Sequence, residues 1–229
     1  MPSPPPVPPV PPMPHVRLKA AASLDGRTAL PDGQSQWITG EAARADGHAW
    51  RARADAMLTG IGTVLHDDPR MDVRHGNPAR QPDLAVVDSQ LRTPPDARLF
   101  AARRRVYLYA AVADAGRQAA LEAAGATVVL LPDGQGRVDL PALLRDLAAR
   151  GVRSVHVEAG AALNGALLAA GLVDELLLYL APRLIGQGLP LADIGLLPSL
   201  AQAVALEFGA VERVGTDLRV LARVGKSRP

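Results

Sequence analysis

The sequence has no cysteine, few aromatic residues and no long apolar run. Without cysteine the chain cannot form disulfides, cysteine nucleophiles, thiolate-bound zinc sites or iron–sulfur clusters. No apolar run approaches the roughly 18 residues of a membrane span, and the N-terminus lacks the charged-then-apolar order of a signal peptide. The sequence therefore predicts a soluble, cytoplasmic protein that does not bind membranes.

Charge is nearly balanced, because 25 basic residues oppose 23 acidic ones and leave a net charge of +2. Such a chain has no excess of basic charge to drive nucleic-acid binding. Lysine is scarce: Lys19 and Lys226 are the only two, and the other 23 basic residues are arginine. A lysine kept in mid-sequence, such as Lys19, either marks a position where an ammonium is needed and a guanidinium does not fit, or is there by chance.

Residues 1–14 contain nine of the 21 prolines and no charged residue. Such a segment cannot form a helix or a central strand, so we expect a disordered, proline-rich tail that acts as a linker. A docking peptide for an aromatic-lined groove is the alternative. No internal repeat is visible, and residues 15–229 are predicted to form a single domain.

Short apolar runs alternate with helical patterns after residue 14, which predicts an α/β fold with a largely parallel sheet flanked by helices. The predicted strands are Val16–Ala22, Asp55–Gly60, Leu84–Asp88, Val106–Ala110, Ala126–Leu131, Ser154–Glu158 and Glu175–Ala181. Helices are predicted after Thr39 and Asp139 as N-caps, from Gly62, over Asp114–Ala124 and over Ala161–Ala170, with Gly125 and Gly171 as left-handed ends. Alternation around Leu206 and Val220 predicts a C-terminal antiparallel hairpin.

Two well-known site motifs are only partly present, because each lacks a residue type that it requires. His156-Val157-Glu158 matches the H-x-E half of a zinc deaminase signature, but the cysteine half cannot exist here, so His156 is interpreted as an ordinary strand residue. Gly60-Ile61-Gly62 follows a predicted strand, but Leu65 stands where a Rossmann fingerprint requires its third glycine.

Two glycine turns each join a predicted strand to a predicted helix, one at Gly60–Gly62 and one from Glu158 through Gly160. Helix N-termini favour anions and small side chains let a ligand approach, so the pair predicts a nucleotide-binding crevice. Close packing of helix on sheet would also explain the small residues. The loop Ser35–Thr39 contains Trp37, which either stacks on a planar ligand ring or packs on the core as a lid.

Three stretches resemble the reductase domain of the bifunctional riboflavin biosynthesis enzyme RibD, in consistent order and spacing over Val16 to Val224. They are VRLKAAASLDGRTAL, SQWITGEAARADGHAWRARADAMLTGIGTVLHDDPRMDVR and VEAGAALNGALLAAGLVDELLLYLAPRLIG. The resemblance implies a dihydrofolate-reductase-like fold, which agrees with the missing Rossmann glycine. It also implies NADPH as the cofactor and reduction of the ribosyl group of 5-amino-6-(5-phosphoribosylamino)uracil to ribityl.

Two features depart from the family pattern. The N-terminal deaminase domain is missing, with the proline-rich tail in its place, so a separate deaminase partner is an option. Ala159 stands in a loop where glycine is common. Reductases of this kind act on the deaminated pyrimidine or on its 2,5-diamino precursor, and the motifs look closer to the bacterial type, which favours the deaminated substrate.

Matched position by position, the resemblance places NADPH and substrate on two sets of residues. The NADPH set is Ala21, Trp37, Thr63, Asp67, Gly160, Ala161, Ala162, Leu163, Asn164, Gly165 and Ala166. The substrate set is Ser35, Arg51, Met71, Arg74, Ser89 and Glu158. No residue is assigned to the 2′-phosphate of NADPH, and no metal is predicted.

Lys19, Glu158 and Asp67 are the candidate catalytic groups. A closed ribosylamine offers no electrophilic carbon to a hydride donor, whereas opening the sugar ring gives an imine at C1′. Ring opening needs a proton on the ring oxygen, and we hypothesise that Lys19 donates or relays it while Glu158 orients the substrate and shares the acid–base work. Arg51 and Arg74 are predicted to bind the substrate phosphate bidentately.

Two other functions stay open at this point. One is an NADPH reductase of the same fold that acts on another pyrimidine or on a pterin, and the other is a non-catalytic nucleotide-binding subunit.

Gly171–Tyr179 is apolar on both faces after its acidic start, as expected of an interior strand. Family members associate through this C-terminal region, which predicts a homodimer.

Overall fold

Eleven strands and five α-helices lie within residues 11–75 and 80–225, the part of the chain that the computed structural model describes. The strands are β1 (His15–Ser23), β2 (Arg27–Ala29), β3 (Ala56–Gly60), β4 (Asp83–Val87), β5 (Val106–Ala110), β6 (Ala126–Leu130), β7 (Ser154–Val157), β8 (Glu175–Ala181), β9 (Leu189–Pro190), β10 (Leu206–Val214) and β11 (Asp217–Val224). The bounds predicted for β5 and β8 are confirmed to the residue. Residues 1–10 of the predicted tail lie outside the described residues.

The helices are α1 (Glu41–Ala52), α2 (Ile61–Asp67), α3 (Ala115–Ala123), α4 (Leu140–Ala149) and α5 (Ala161–Ala169). The predicted cap of α4 is confirmed, because the Asp139 side chain accepts a hydrogen bond from the Ala142 N–H. Gly125 and Gly171 follow α3 and α5 with φ of 99° and 64°, a conformation that glycine adopts without strain. None of the helices within the described residues is long and apolar enough to cross a membrane.

Nine strands form one sheet in the order β10-β11-β8-β1-β7-β3-β4-β5-β6. Neighbouring strands from β8 to β6 are parallel, whereas β11 is antiparallel to both β8 and β10. This confirms the mostly parallel sheet with a C-terminal antiparallel hairpin and places β8 inside the sheet. The separate pair of β2 and β9 was not predicted, because strands of three and two residues are too short to show alternation.

Successive side chains of each strand face opposite sides of the sheet, and each side has its own apolar core. On one side Leu18, Leu58 and Val157 pack with side chains of α4 and α5. On the other side Met57 and Leu108 pack with side chains of α2 and α3. Met57 and Leu58 therefore contact different cores, as the two-residue period of a strand requires.

Polar contacts hold helix α1 against the part of the sheet that β8 and β11 form. The Tyr179 hydroxyl of β8 donates to Asp46 Oδ2 at 2.6 Å. At the helix start, the Gly40 N–H donates to Asp217 Oδ2 at 2.7 Å. The prediction of Thr39 as the N-cap is wrong, since Gly40 takes that position without a side-chain cap of its own. The carboxylate of Asp217 in β11, 177 residues away in sequence, instead holds the N–H of this N-cap residue.

Candidate active site

One large cavity lies where the parallel strands β1, β3, β4 and β7 meet their following loops. Ligands of open parallel sheets bind in the crevice outside the carboxyl ends of the strands. The cavity volume of about 1670 Å³ exceeds the roughly 300–1,000 Å³ of a site for one small molecule. The space is therefore large enough for two ligands side by side.

Nearly all residues predicted for the site line this cavity. They are Lys19, Ala21, Ser35, Trp37, Arg51, Thr63, Asp67, Met71, Arg74, Ser89, Glu158, Gly160, Ala161, Ala162, Leu163, Asn164 and Ala166. The exception is Gly165, where an added Cβ would lie 1.8 Å from the backbone oxygen of Asp193. Gly165 therefore allows close packing against the segment at Asp193. Close packing was the alternative explanation for the small residues of this turn.

The two glycine turns lie side by side because β3 and β7 are neighbours. A Cβ added to Gly60 would lie 3.3 Å from the Leu163 side chain, whereas one added to Gly160 would enter open space. Gly160 is the N-cap of α5 and offers no side-chain cap to it. The first-turn N–H groups of α5 are therefore left for a ligand, as in phosphate-binding turns.

Asn164 holds the turn before α5 in shape. Its Nδ2 donates to the backbone oxygens of Ala159 at 3.1 Å and Leu191 at 2.9 Å. The side chain is buried, and its Oδ1 has no hydrogen-bond partner among the described residues. An orphaned buried acceptor of this kind indicates a donor that the protein itself does not supply.

Three charged side chains meet in the middle of the cavity. Arg51 of α1 donates from Nε to Glu158 Oε1 at 2.5 Å and from Nη2 to Oε2 at 2.8 Å. Lys19 Nζ of β1 lies 3.7 Å from the same Oε2. The three meet because β1 and β7 are adjacent and α1 packs over that part of the sheet. All three side chains are largely buried, which strengthens their mutual attraction.

Glu158 is ionised at neutral pH. Burial alone would raise the pKa of Glu158, but the Arg51 guanidinium and the Lys19 ammonium hold that pKa well below its usual range. A carboxylate that has already lost its proton cannot donate one, so Glu158 does not act as the general acid in this arrangement. Its part in the hypothesised acid–base work is limited to holding a cation or accepting a proton.

Arg51 is engaged differently from the sequence-based prediction. Two of its nitrogens hold Glu158, and the third, Nη1, donates to the backbone oxygen of Asp72 at 3.0 Å. Glu158 therefore occupies the Nε–Nη2 edge of the guanidinium, the edge that would otherwise bind a phosphate side-on. In this arrangement Arg51 fixes Glu158, and the Arg74 side chain, which is 56% exposed, is the more open of the two to a phosphate.

His156 lies on β7 as predicted, but it also adjoins the charged cluster. Its side chain is fully buried, and Nε2 lies 3.4 Å from Glu158 Oε1. Neither ring nitrogen has a hydrogen-bond partner among the described residues. Burial, together with the charges of Lys19 and Arg51, lowers the pKa of His156 although Glu158 acts in the opposite direction, so the ring is neutral at pH 7.

This burial makes stability depend on pH. The unfolded chain takes up a proton on His156 near pH 6.5, while the folded chain resists it, so stability falls as the pH drops below that value. We expect His156→Leu to reduce the dependence of the unfolding free energy on pH between pH 7 and pH 5. The slope, measured by urea unfolding at each pH, should fall by up to about 1.4 kcal/mol per pH unit. His15→Gln, at an exposed position at the start of β1, is the control, and an unchanged slope in His156→Leu would contradict the prediction.

The segment from Arg70 to Arg74 forms one wall of the cavity around a buried carboxylate. Arg70 Nε donates to Asp72 Oδ2 at 2.9 Å, and Arg74 Nε lies 3.5 Å from Oδ1. Arg104 donates to the backbone oxygens of Arg70 and Met71. Met71 has a φ of 52°, so Arg104 fixes the wall in a conformation that a non-glycine residue rarely adopts. The Arg74 side chain remains 56% exposed.

The loop around Trp37 covers the other wall. Trp37 is 61% exposed, so its indole is not packed on the core. The Arg44 guanidinium lies 4.4 Å from the ring centroid, and Arg183 Nη1 donates to the Trp37 backbone oxygen at 3.1 Å. The indole is therefore exposed and not part of the core, and the Arg44 guanidinium already stacks on the ring. Asp67 lies at the end of α2, where its carboxylate contacts His66 Nδ1 at 2.8 Å.

Sequence reasoning missed several basic residues that line the cavity. They are His48, His75, Arg92, Arg98 and Arg137. His48 had a signal, because it lies three residues before Arg51 on a predicted helix and so shares its face. Arg92 and Arg137 follow β4 and β6, and nothing local separates them from the other arginines of the chain.

Comparison with known proteins gives a consistent result. A profile of the RibD C-terminal domain matches residues 14–220. The riboflavin biosynthesis protein RibD of Escherichia coli (strain K12) is 38% identical over 217 residues, which cover 89% of this chain and 58% of the relative.

Solved structures agree with the sequence match. Acinetobacter baumannii RibD superimposes with a TM-score of 0.82 and 34% identity, over 93% of this chain and 58% of that protein. A Thermotoga maritima protein, described as a diaminohydroxyphosphoribosylaminopyrimidine deaminase/5-amino-6-(5-phosphoribosylamino)uracil reductase, superimposes with a TM-score of 0.75 at 25% identity, over 93% and 57%. The chain thus spans somewhat over half the length of these relatives.

Proposed function

Because the chain belongs to the RibD C-terminal domain family, we propose that it is a pyrimidine reductase of riboflavin biosynthesis. The proposed reaction is the NADPH-dependent reduction of the ribosyl group of 5-amino-6-(5-phosphoribosylamino)uracil to ribityl, and the description of the Thermotoga maritima relative includes a reductase of this compound. A deaminase would supply this substrate, and the description of the same relative also includes a deaminase.

The cluster of Lys19, Arg51 and Glu158 is the observation that carries this proposal. It opens into the same cavity as the uncapped turn at Gly160. A reductase needs a proton source and a dinucleotide site that face one substrate, and this cavity offers both within one space. A largely buried ammonium that lines the same cavity favours an enzyme over a binding subunit without catalysis.

The turn before α5 fits a dinucleotide cofactor. Gly160 faces open space, the first-turn N–H groups are uncapped, and Asn164 Oδ1 is a buried acceptor without a partner. The residues that would hold NADPH are Ala21, Trp37, Thr63, Asp67, Gly160, Ala161, Ala162, Leu163, Asn164 and Ala166. When bound, NADPH supplies the hydride.

The chain itself contributes the proton for ring opening. Opening breaks the C1′–O4′ bond of the substrate, the nitrogen lone pair forms the C=N bond, and the ring oxygen takes up a proton. Lys19 donates that proton, because its ammonium lines the cavity and lies 3.7 Å from Glu158. Glu158 keeps the ammonium in place, and Arg51 keeps Glu158 in place. Asp67 is the last residue of α2. We assign it to contact with the cofactor and not to proton transfer.

A direct assay tests the function. Purified protein is mixed with NADPH and the deaminated ribosylaminopyrimidine phosphate, and NADPH absorbance is followed together with ammonia release. We expect NADPH oxidation without ammonia. The 2,5-diamino precursor, a pterin and NADH are run in parallel, and faster turnover of the precursor or the pterin would replace the proposed substrate. No NADPH oxidation with any of them would leave a binding subunit.

Arg74 is proposed to bind the substrate phosphate. We expect Arg74→Ala to cost about 2–3 kcal/mol in kcat/KM, because a hydrogen-bonded contact to a charged group is lost. The loss should nearly vanish with dephosphorylated substrate, and NADPH affinity should not move. Arg74→Lys should recover part of the loss, since a point charge replaces a planar fork. Equal losses with both substrates would remove Arg74 from the phosphate site.

We also propose that the protein forms a homodimer through β10. This edge strand is exposed on both faces and carries Leu206, Phe208 and Val211, which are 44%, 73% and 55% exposed. A long apolar edge is a ready surface for association, and a two-fold pair would cover it.

Light scattering tests the dimer. We expect a dimer mass at micromolar concentration and a monomer for Phe208→Glu. Leu130→Glu on β6, the opposite edge of the sheet, is the matched control, because Leu130 is also partly exposed, at 42%. A monomeric parent protein, or a Phe208→Glu variant that stays dimeric, would refute the proposed interface.

A further inference from the structure

His48 is a buried ring at the wall of the cavity and has so far no function. It lies on α1 three residues before Arg51, and the residue is only 6% exposed. We infer that His48 is a further ligand of the substrate phosphate and that it donates a hydrogen bond from a neutral imidazole, through Nε2, beside Arg74. This inference rests on the proposed function, in which the cavity binds a phosphomonoester.

The hydrogen bond to the other ring nitrogen decides the tautomer. The Arg74 backbone N–H donates to His48 Nδ1 at 3.3 Å. A neutral imidazole that accepts at Nδ1 carries its proton on Nε2. His48 Nε2 has no hydrogen-bond partner among the described residues. It is also not one of their fully buried side-chain atoms that lack a partner, so Nε2 is accessible. The ring therefore has one donor to offer, and the cavity is the space that His48 lines.

The surroundings keep the ring neutral. Burial, followed by the charges of Arg51, Arg74 and His75, lowers the pKa of His48 to about 4, although Glu158 acts in the opposite direction. These groups come from α1 itself, from the segment after α2 and from the end of β7, and cations predominate among them. A neutral donor can sit among these cations without the repulsion that an imidazolium would meet.

The charges nearby leave a place for an anion. Asp72 is shared by Arg70 and Arg74, so two guanidinium groups face one carboxylate. The ring of His75 lies 4.7 Å from the ring of His48 and also lines the cavity. An anion between Arg74 and His48 Nε2 would balance the excess positive charge and satisfy the imidazole donor. A phosphate with several acceptor oxygens can accept from both groups at once.

Two substitutions separate the ring nitrogens. The side-chain nitrogen of Gln can occupy the position of Nε2, whereas that of Asn reaches only the position of Nδ1. We expect His48→Asn to weaken binding of ribose 5-phosphate by about 10-fold or more, as for a lost hydrogen bond to a charged group. His48→Gln should retain most of the affinity. Binding of ribose without phosphate should be the same in all three proteins, and calorimetry gives each constant.

Nitrogen NMR of the parent protein gives a readout that does not depend on a variant. We expect His48 to show the Nε2–H tautomer from pH 5.5 to pH 8 and the Nε2 signal to shift when ribose 5-phosphate is added. A protonated ring, an Nδ1–H tautomer, an unmoved signal or unchanged affinity in His48→Asn would overturn the inference. If NADPH is oxidised with the full substrate in the same preparation, the proposed function stands whichever way His48 behaves.

Discussion

Replacing Lys19 by Met is expected to lower the rate of NADPH oxidation by about two to four orders of magnitude, the usual contribution of a general acid. Methionine keeps the length of the side chain and removes the ammonium. Glu158 keeps its bidentate contact with Arg51, so the cavity should keep its shape. NADPH affinity, measured by fluorescence titration, should therefore be unchanged, which places the defect in the chemical step.

Lys19→Arg is the matched control. It restores a cation beside Glu158, but a planar guanidinium holds its protons too firmly to donate one, so turnover should stay close to that of Lys19→Met. Turnover of Lys19→Met within tenfold of the parent would show that Lys19 is not the proton donor. A large loss of NADPH affinity would instead make Lys19 part of the cofactor site.

Arg51→Ala is expected to lower stability as well as activity. Leaving a buried charge wholly uncompensated typically costs about 3–5 kcal/mol, and the loss here should stay below that because one cation remains beside Glu158. The Glu158 carboxylate would keep Lys19 as its neighbour, 3.7 Å away. Urea unfolding gives the loss of stability. Kinetics should show turnover that falls equally for phosphorylated and dephosphorylated substrates, because Arg51 acts through Glu158 and not on the phosphate.

Arg74→Ala is the comparison for this experiment, since its side chain is 56% exposed and its removal should barely change stability. The two arginines were interpreted alike from sequence, and the structure separates them by their contacts. A loss in Arg51→Ala that is confined to the phosphorylated substrate, with stability unchanged, would return Arg51 to the phosphate site.

The strands, the helix ends and the family match could be predicted because their signals are local. Val106–Ala110 reads as a strand from its own apolar run, and Asp139 and Gly125 mark helix ends through their own backbone or side-chain chemistry. The prediction failed where a contact came from far along the chain. Asp217 replaces Thr39 at the start of α1, and the Asp193 backbone explains Gly165.

By itself the sequence determined that the chain is an α/β protein of the RibD C-terminal domain family and which residues could line its site. Only the tertiary structure decided that Arg51 holds Glu158, 107 residues away, and that His48 and Arg74 share a wall. The contact of Lys19 with Glu158 follows from strand order: β1 and β7 are neighbours although more than a hundred residues separate them. Side-chain pairing across such distances depends on how the sheet assembles, and no short stretch of sequence carries that information.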